Sequence, residues 1–431
     1  MKRTRLSSKF WAALVIFSLV GQVAWVVENM YFNVFIYKMF HASAAAISTM
    51  VAASAVAATL TTVLIGALSD KLGKRKLFIC GGYILWGVSI WSFALIRTDL
   101  ISKLFPAAVS AAAVGVNLVI VMDCVMTFFG SGANDACFNA WLTDSTDETN
   151  RGAAEGVNAM MPLLAILAVF GGFMGFDLDQ SSSWVTIYTV IGAVVVAIGL
   201  LGFFLIREPL VDTAGNQSIL RNVCYGFRPS VMKRNPILYL TLAAFAVFGI
   251  SIQIFMPYLI LYYEVSLGME NYVLIMAPAI LLAAVVTFFY GKLYDKYHFR
   301  STLLPALGML AAGYVLLWLT RSTVPVFLGS LLMMSGYLAG MAVFGAMVRD
   351  HTPANRAGMF QGLRIVGQVL IPGVVGPWIG ALVLRNAETV IGDDGTASFI
   401  PHAGIFLAAL AAELLILLPA LPVLRRERRE N

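Results

Sequence analysis

Gly66-Ala67-Leu68-Ser69-Asp70-Lys71-Leu72-Gly73-Lys74-Arg75 stands between two long apolar runs. A second stretch, Gly291-Lys292-Leu293-Tyr294-Asp295-Lys296-Tyr297-His298-Phe299-Arg300, stands between two others, 225 residues further on. Gly, Leu, Asp, Lys and Arg recur at the same offsets in both. A second matched pair comes in the same order: Asp144 with Asn150-Arg151-Gly152, and Asp350 with Asn355-Arg356-Ala357. One such match could arise by chance, but two in the same order argue for a duplicated unit.

The runs around these loops are those of a membrane protein. Of the 431 residues, 60% are hydrophobic and 12% charged, where a soluble chain carries about 25% charged residues. The apolar runs are about twenty residues long and lack the period-two alternation of a membrane barrel. The reading is an all-α membrane protein of twelve transmembrane helices. These cover about 10–37, 44–69, 77–96, 107–141, 152–176 and 184–206 in the first half, and 236–263, 271–291, 302–320, 324–348, 357–384 and 403–424 in the second. Helix 4 is long enough to be tilted or broken. The expected organisation is an N-terminal six-helix bundle at 1–206, an inter-bundle linker at 207–235, and a C-terminal six-helix bundle with its tail at 236–431.

Charge sets the expected orientation. With both termini in the cytoplasm, 23 of the 29 basic residues fall on the inner side and five on the outer, while Arg364 lies inside helix 11. That is a strong positive-inside bias. It accounts for the net charge of +6 without a nucleic-acid partner. The partner is the lipid bilayer of a plasma or inner membrane, and the chain is expected to act as a monomer.

An ionisable group inside a span is costly, so each is a candidate. Glu28 lies past the middle of helix 1, beside Gln22, Trp25, Asn29 and Asn33, which share one face at spacings of three and four. That polar stripe should face a cavity rather than lipid. Asp123 sits near the centre of helix 4 with no basic residue close in sequence, so any partner must come from another helix. Desolvation there penalises its charged form, the property a proton carrier needs. Asp135 is nearer the end of the same helix. Helix 11 offers Gln361, Arg364 and Gln368 on one face, helix 7 Gln253, and helix 10 Tyr337. Asp144 with Arg151, and Asp350 with Arg356, read as ion pairs at helix ends. Pro162, Pro257, Pro278, Pro372 and Pro377 lie within spans, where they can break helices.

An enzyme would need a clustered nucleophile, base or metal set. His41, His298, His351 and His402 are far apart at helix ends or in loops, and Cys80, Cys124, Cys137 and Cys224 lack ligand spacing. No catalytic residue, metal or cofactor is expected.

The loop Gly66 to Arg75 resembles the signature of the major facilitator superfamily between its second and third helices, and the second-half copy is degraded at His298. The resemblance spans about 10–424. It implies two pseudo-symmetric six-helix bundles and transport by alternating access. It also implies that Gly66, Asp70, Gly73, Arg75 and Asp295 form gating loops that latch one state and release in the other. Within the superfamily, Asn134-Asp135-Ala136-Cys137-Phe138-Asn139-Ala140-Trp141-Leu142-Thr143-Asp144 with Asn150-Arg151 is similar to the glycoside-pentoside-hexuronide cation symporters. Those symporters carry acids in helix 2, and here helix 2 has none, which favours a proton over sodium. The expected function is proton-coupled symport of a small polar organic solute, a sugar or glycoside. Its proton would be carried by Asp123 and Glu28. Its solute would meet Gln22, Trp25, Glu28, Asn29, Asn33, Gln253, Tyr337, Gln361, Arg364 and Gln368. The alternative is a proton-coupled exporter of drugs or metabolites. Helix 5 reads Met161-Pro162 without the Gly-Pro pair of drug exporters, and Gly376-Pro377 stands in helix 11 instead.

The charge bias gives the first testable outcome. A cysteine or tag added at the C-terminus should stay unlabelled by an impermeant reagent in intact cells and label after permeabilisation. Labelling in intact cells would overturn the orientation.

Overall fold

A computed structural model describes residues 6–108, 110–147, 149–208, 227–352, 362–391 and 396–430. Twelve helices among them are long and apolar enough to cross a membrane. Spans 1 to 6 are Ser8–Phe40, Ala44–Leu72, Arg75–Phe93, Ala111–Asp144, Arg151–Phe173 and Ser181–Leu205. Spans 7 to 12 are Pro236–Ser266, Val273–Tyr294, Ser301–Leu319, Thr323–His351, Gly362–Asn386 and Gly404–Arg425. The chain divides into two compact units, Met1–Ala46 with Ala53–Asn216, and Ile47–Ala52 with Gln217–Asn431. Gln361 and Arg356 lie outside the described residues, as does most of the segment 207–235. The backbone at Asp295 is helical, but its side chain is also outside the description.

Local chemistry starts and stops the helices. Ser7, Ser43 and Ser110 each accept a hydrogen bond at 3.2 Å from the backbone N–H three residues on, satisfying one donor of the first turn. Span 2 ends at Gly73, whose φ of 62° is left-handed and costs glycine little. Its N–H returns to Ser69 O at 2.9 Å. Gly66 is different, because a Cβ there would meet only Ala136 Cβ at an ordinary 3.6 Å. Close approach therefore does not require glycine at 66.

Four spans contain a wide, π-helical stretch: Val27–Tyr31, Ser131–Phe138, Tyr262–Ser266 and Val366–Leu370. Each holds at least one polar side chain among apolar neighbours: Glu28, Asn134 and Asp135, Glu264, and Gln368. Such stretches are uncommon and recur at functional positions.

Each unit packs through small residues. In the first, an added Cβ on Gly87 would lie 2.7 Å from Gly192 O, and one on Gly199 2.8 Å from Ile84 N. In the second, Gly313 backs onto Met333 N and Gly336 onto Leu310 N, locking spans 9 and 10. Large apolar residues such as Leu60, Phe204 and Phe288 are exposed, as suits a surface whose solvent is lipid.

Some elements depart from the sequence reading. Helical structure runs unbroken from Val273 to Leu319, through the 291–300 stretch expected as a loop. A two-stranded antiparallel hairpin, β1 Thr389–Ile391 and β2 Ala397–Phe399, comes after span 11. It departs from a purely helical fold, and Thr389-Val390-Ile391 carries the β-branched composition that favours a strand. Pro162, Pro278 and Pro377 sit inside continuous helices, whereas Pro257 falls in a 3-10 turn and Pro372 just after a wide one.

The glycine contacts predict a contrast in stability. Gly336→Ala would press a methyl against Leu310 backbone and should cost about 1–3 kcal/mol. Gly345→Ala, with nothing within 4 Å, should be neutral or stabilising. Thermal unfolding of the purified variants compares them, and equal melting temperatures would contradict this packing.

Candidate functional site

The first unit buries two carboxylates side by side. Glu28, in the wide stretch of span 1, is 6% exposed, and Asp123 of span 4 is 2% exposed. Glu28 Oε1 accepts from Ser54 Oγ and Thr127 Oγ1, each at 2.8 Å, and the two hydroxyls are 2.8 Å from one another. Spans 1, 2 and 4 thus close a triangle around one carboxylate oxygen. Glu28 Oε2 and Asp123 Oδ1 are buried without a protein hydrogen-bond partner. The neighbour of Asp123 with which it interacts electrostatically is Glu28, with Tyr188 of span 6 also in reach. Among the described residues neither acid forms an ion pair. The partner that Asp123 draws from another helix is therefore a second acid. Two such groups cannot both be charged there cheaply, so the arrangement is suited to taking up and releasing a proton.

The polar stripe of span 1 is unevenly buried. Gln22 and Trp25 are half-buried, Asn29 is exposed, and Asn33 is buried. Asn29 Nδ2 donates to Trp25 O at 2.8 Å and Asn33 Nδ2 to Asn29 O at 2.9 Å. Both amide N–H groups are thus turned back on their own helix.

Asp135 lies one layer away, half-buried, beside Ser131, Asn134 and Trp25. Tyr83 OH of span 3 is 2.7 Å from Phe17 O and 2.9 Å from Asn134 Oδ1, sharing its single proton between them. Trp25 stacks obliquely on Trp86 at 5.1 Å between centroids.

At the loop between spans 2 and 3, Arg75 is the hub. Its guanidinium pairs with Asp70, donates from Nε to Asp144 Oδ2 at 3.0 Å, and donates from Nη1 to Ser69 Oγ at 2.5 Å. The Arg75 side chain is 6% exposed and that of Asp70 62%. Asp144 was expected to pair with Arg151. Instead Arg151 binds Thr146 Oγ1 and the carbonyls of Thr143 and Thr146, because the end of span 4 presents Asp144 to span 3. In the second unit Asp350 Oδ2 accepts from Tyr294 OH at 2.7 Å. Tyr294 stands where the first copy has Ser69.

The second-unit candidates are only partly assembled. Arg364 Nε donates to Gln368 Oε1 at 3.2 Å, one turn along span 11. Gln253 packs against Gly376, and Tyr337 stacks on Phe248. Among the described residues no hydrogen bond joins Gln253 or Tyr337 to the Arg364–Gln368 pair. The sequence reading missed Glu413 of span 12, which is 3% exposed with both oxygens unpartnered. It lies near Tyr314, whose OH is 3.0 Å from Ser251 Oγ. A lone acid in the run Leu407–Leu418 was the signal for it.

Twelve apolar helices in two units, with acids buried in each, are those of a multi-pass membrane protein. The chain belongs to the Major Facilitator Superfamily, whose family model matches residues 10–377. No curated protein matches it in sequence. Among solved structures it is similar to the nucleoside transporter NupG, with a TM-score of 0.70 and 12% identity over 96% of this chain and 98% of that one. It is similar to the xylose transporter XylE from E. coli, with 0.67 and 13% over 96% and 98%. It is also similar to a bacterial homolog of the human lysosomal transporter Spinster, with 0.66 and 16% over 98% of each chain. At these identities the likeness is one of fold.

The loop network yields a graded expectation. Arg75→Gln removes the hub and leaves Asp144 unpaired, so it should lower transport more than Asp70→Asn, which removes one exposed partner. Both should reduce maximal rate more than apparent affinity. A pure affinity loss, or a larger defect in Asp70→Asn, would contradict the hub.

Proposed function

We propose that this chain is a proton-coupled transporter of a small polar organic solute, working by alternating access between its two bundles. The observation that carries the reading is the Glu28–Asp123 pair, two buried acids that no described cation neutralises. A proton is the cheapest way to neutralise such a pair in a membrane interior. Opening the site to water on each side in turn would load and release it, with Asp123 the principal carrier and Glu28 the second. Gln22 and Trp25 of span 1, with Gln253, Tyr337, Arg364 and Gln368 of the second unit, supply amide, aromatic and cationic groups for a hydroxylated solute. Sugars and nucleosides come first in a screen, since similar folds include xylose and nucleoside transporters. The bundles are joined by the segment 207–235, both termini are cytoplasmic, and the chain works as a monomer in a cell membrane.

Proteoliposomes with an imposed proton gradient test this. A panel of sugars and nucleosides should reveal a solute that accumulates uphill, faster as the outside is acidified. Asp123→Asn should keep counterflow exchange of that solute and lose uphill accumulation. Uphill accumulation in Asp123→Asn with unchanged pH dependence would overturn the assignment.

A further inference from the structure

Four polar residues of span 4 recur at intervals of four: Asp123, Thr127, Ser131 and Asp135. In an α-helix this spacing drifts about 40° per step. The wide stretch Ser131–Phe138 turns each residue through a smaller angle and draws the stripe back into line. The stripe is roughly 18 Å long at the rise of a helix. Asp123, Thr127 and Ser131 are buried, and Asp135 is half-buried, so the stripe opens only at its Asp135 end.

Span 1 lies along it. Gly21 fits against Asn134, where a Cβ would stand 2.7 Å from Oδ1. Trp25 stands beside Asp135, and Glu28 is bonded to Thr127. Ser54 closes the side from span 2. Along this line Asp123 Oδ1 and Glu28 Oε2 are buried polar atoms without a protein hydrogen-bond partner, while the Ser131 hydroxyl and the Trp25 indole N–H are directed at the Asp135 carboxylate. Buried polar atoms of this kind are satisfied by ordered water. The other titratable groups facing the stripe are Tyr188 of span 6, Cys124 of span 4 and Tyr83 of span 3. No described Lys or Arg pairs with Asp123, Asp135 or the neighbouring Glu28.

We propose that this stripe is a hydrated proton path inside the first unit, in which Asp135 exchanges protons with the aqueous end and passes them to Glu28 and Asp123. Ser131 and Trp25 hold the Asp135 carboxylate, and water bridges it to the unpartnered oxygen of Glu28, on which Asp135 acts electrostatically. The Thr127 and Ser54 hydroxyls orient Glu28 toward Asp123. Each hop breaks one O–H bond at the donor and forms one at the acceptor, so no co-reactant is needed. The inference rests on the proton-coupled reading above and adds a residue, Asp135, which touches neither Asp123 nor the Ser54–Thr127 triangle.

Infrared spectroscopy of the full chain in lipid vesicles tests it without knowledge of the solute. The carboxylic C=O band that disappears in Asp123→Asn identifies the protonated acid, and its shift after transfer to heavy water times proton exchange. Asp135→Asn should slow that exchange by roughly 100-fold, the scale of losing one positioned proton-transfer group. Ser131→Ala, a smaller change, should slow it in the same direction. Exchange at the wild-type rate in both variants, with the band intact, overturns the path and leaves proton coupling standing. Absence of any Asp123-dependent band in the wild-type protein overturns the proton reading itself, and the path with it.

Discussion

A carboxylate inside the hydrocarbon layer costs roughly 3 kcal/mol or more unless something neutralises it. Much of the first unit is arranged around that cost. Glu28 and Asp123 are buried within electrostatic reach of one another. Ser54 and Thr127 satisfy one oxygen of Glu28 and leave its second oxygen free. The rest of the unit, with Gly87 against Gly192 and Gly199 against span 3, holds its helices at close approach.

The two halves repeat their loops but not their interiors. Asp144 and Asp350 each fasten the end of their span to a neighbouring span, one through Arg75 at the start of span 3 and the other through Tyr294 at the end of span 8. Span 10 has no acid before Asp350 to match Asp123. The second unit instead carries Glu413 in span 12, against the Tyr314–Ser251 pair.

The fold was legible because membrane solvation leaves coarse marks: run length, charge bias and a duplicated loop. The in-span acids Glu28 and Asp123 were legible for the same reason, since each stands alone in an apolar run. Burial was hidden: Gln22, Trp25, Asn29 and Asn33 follow one another at spacings of three and four, yet Asn29 is exposed and Asn33 buried. Asp144 has Arg151 nearby in sequence but meets Arg75, 69 residues away, because a tertiary contact supplied the better geometry. Ser54, Thr127 and Ser131 gave no signal, as hydroxyls are common in membrane helices and acquire meaning only beside an acid. Thr389–Ile391 was too short a run to separate from a loop by composition.

The central claim is that solute and proton cross together. Proteoliposomes loaded with a pH-sensitive dye, with no gradient imposed at the start, measure this directly. Adding the transported solute outside should acidify the lumen at a rate that tracks solute entry, with or without sodium present. Solute entry with no change in lumen pH, or entry that requires sodium, would contradict the account.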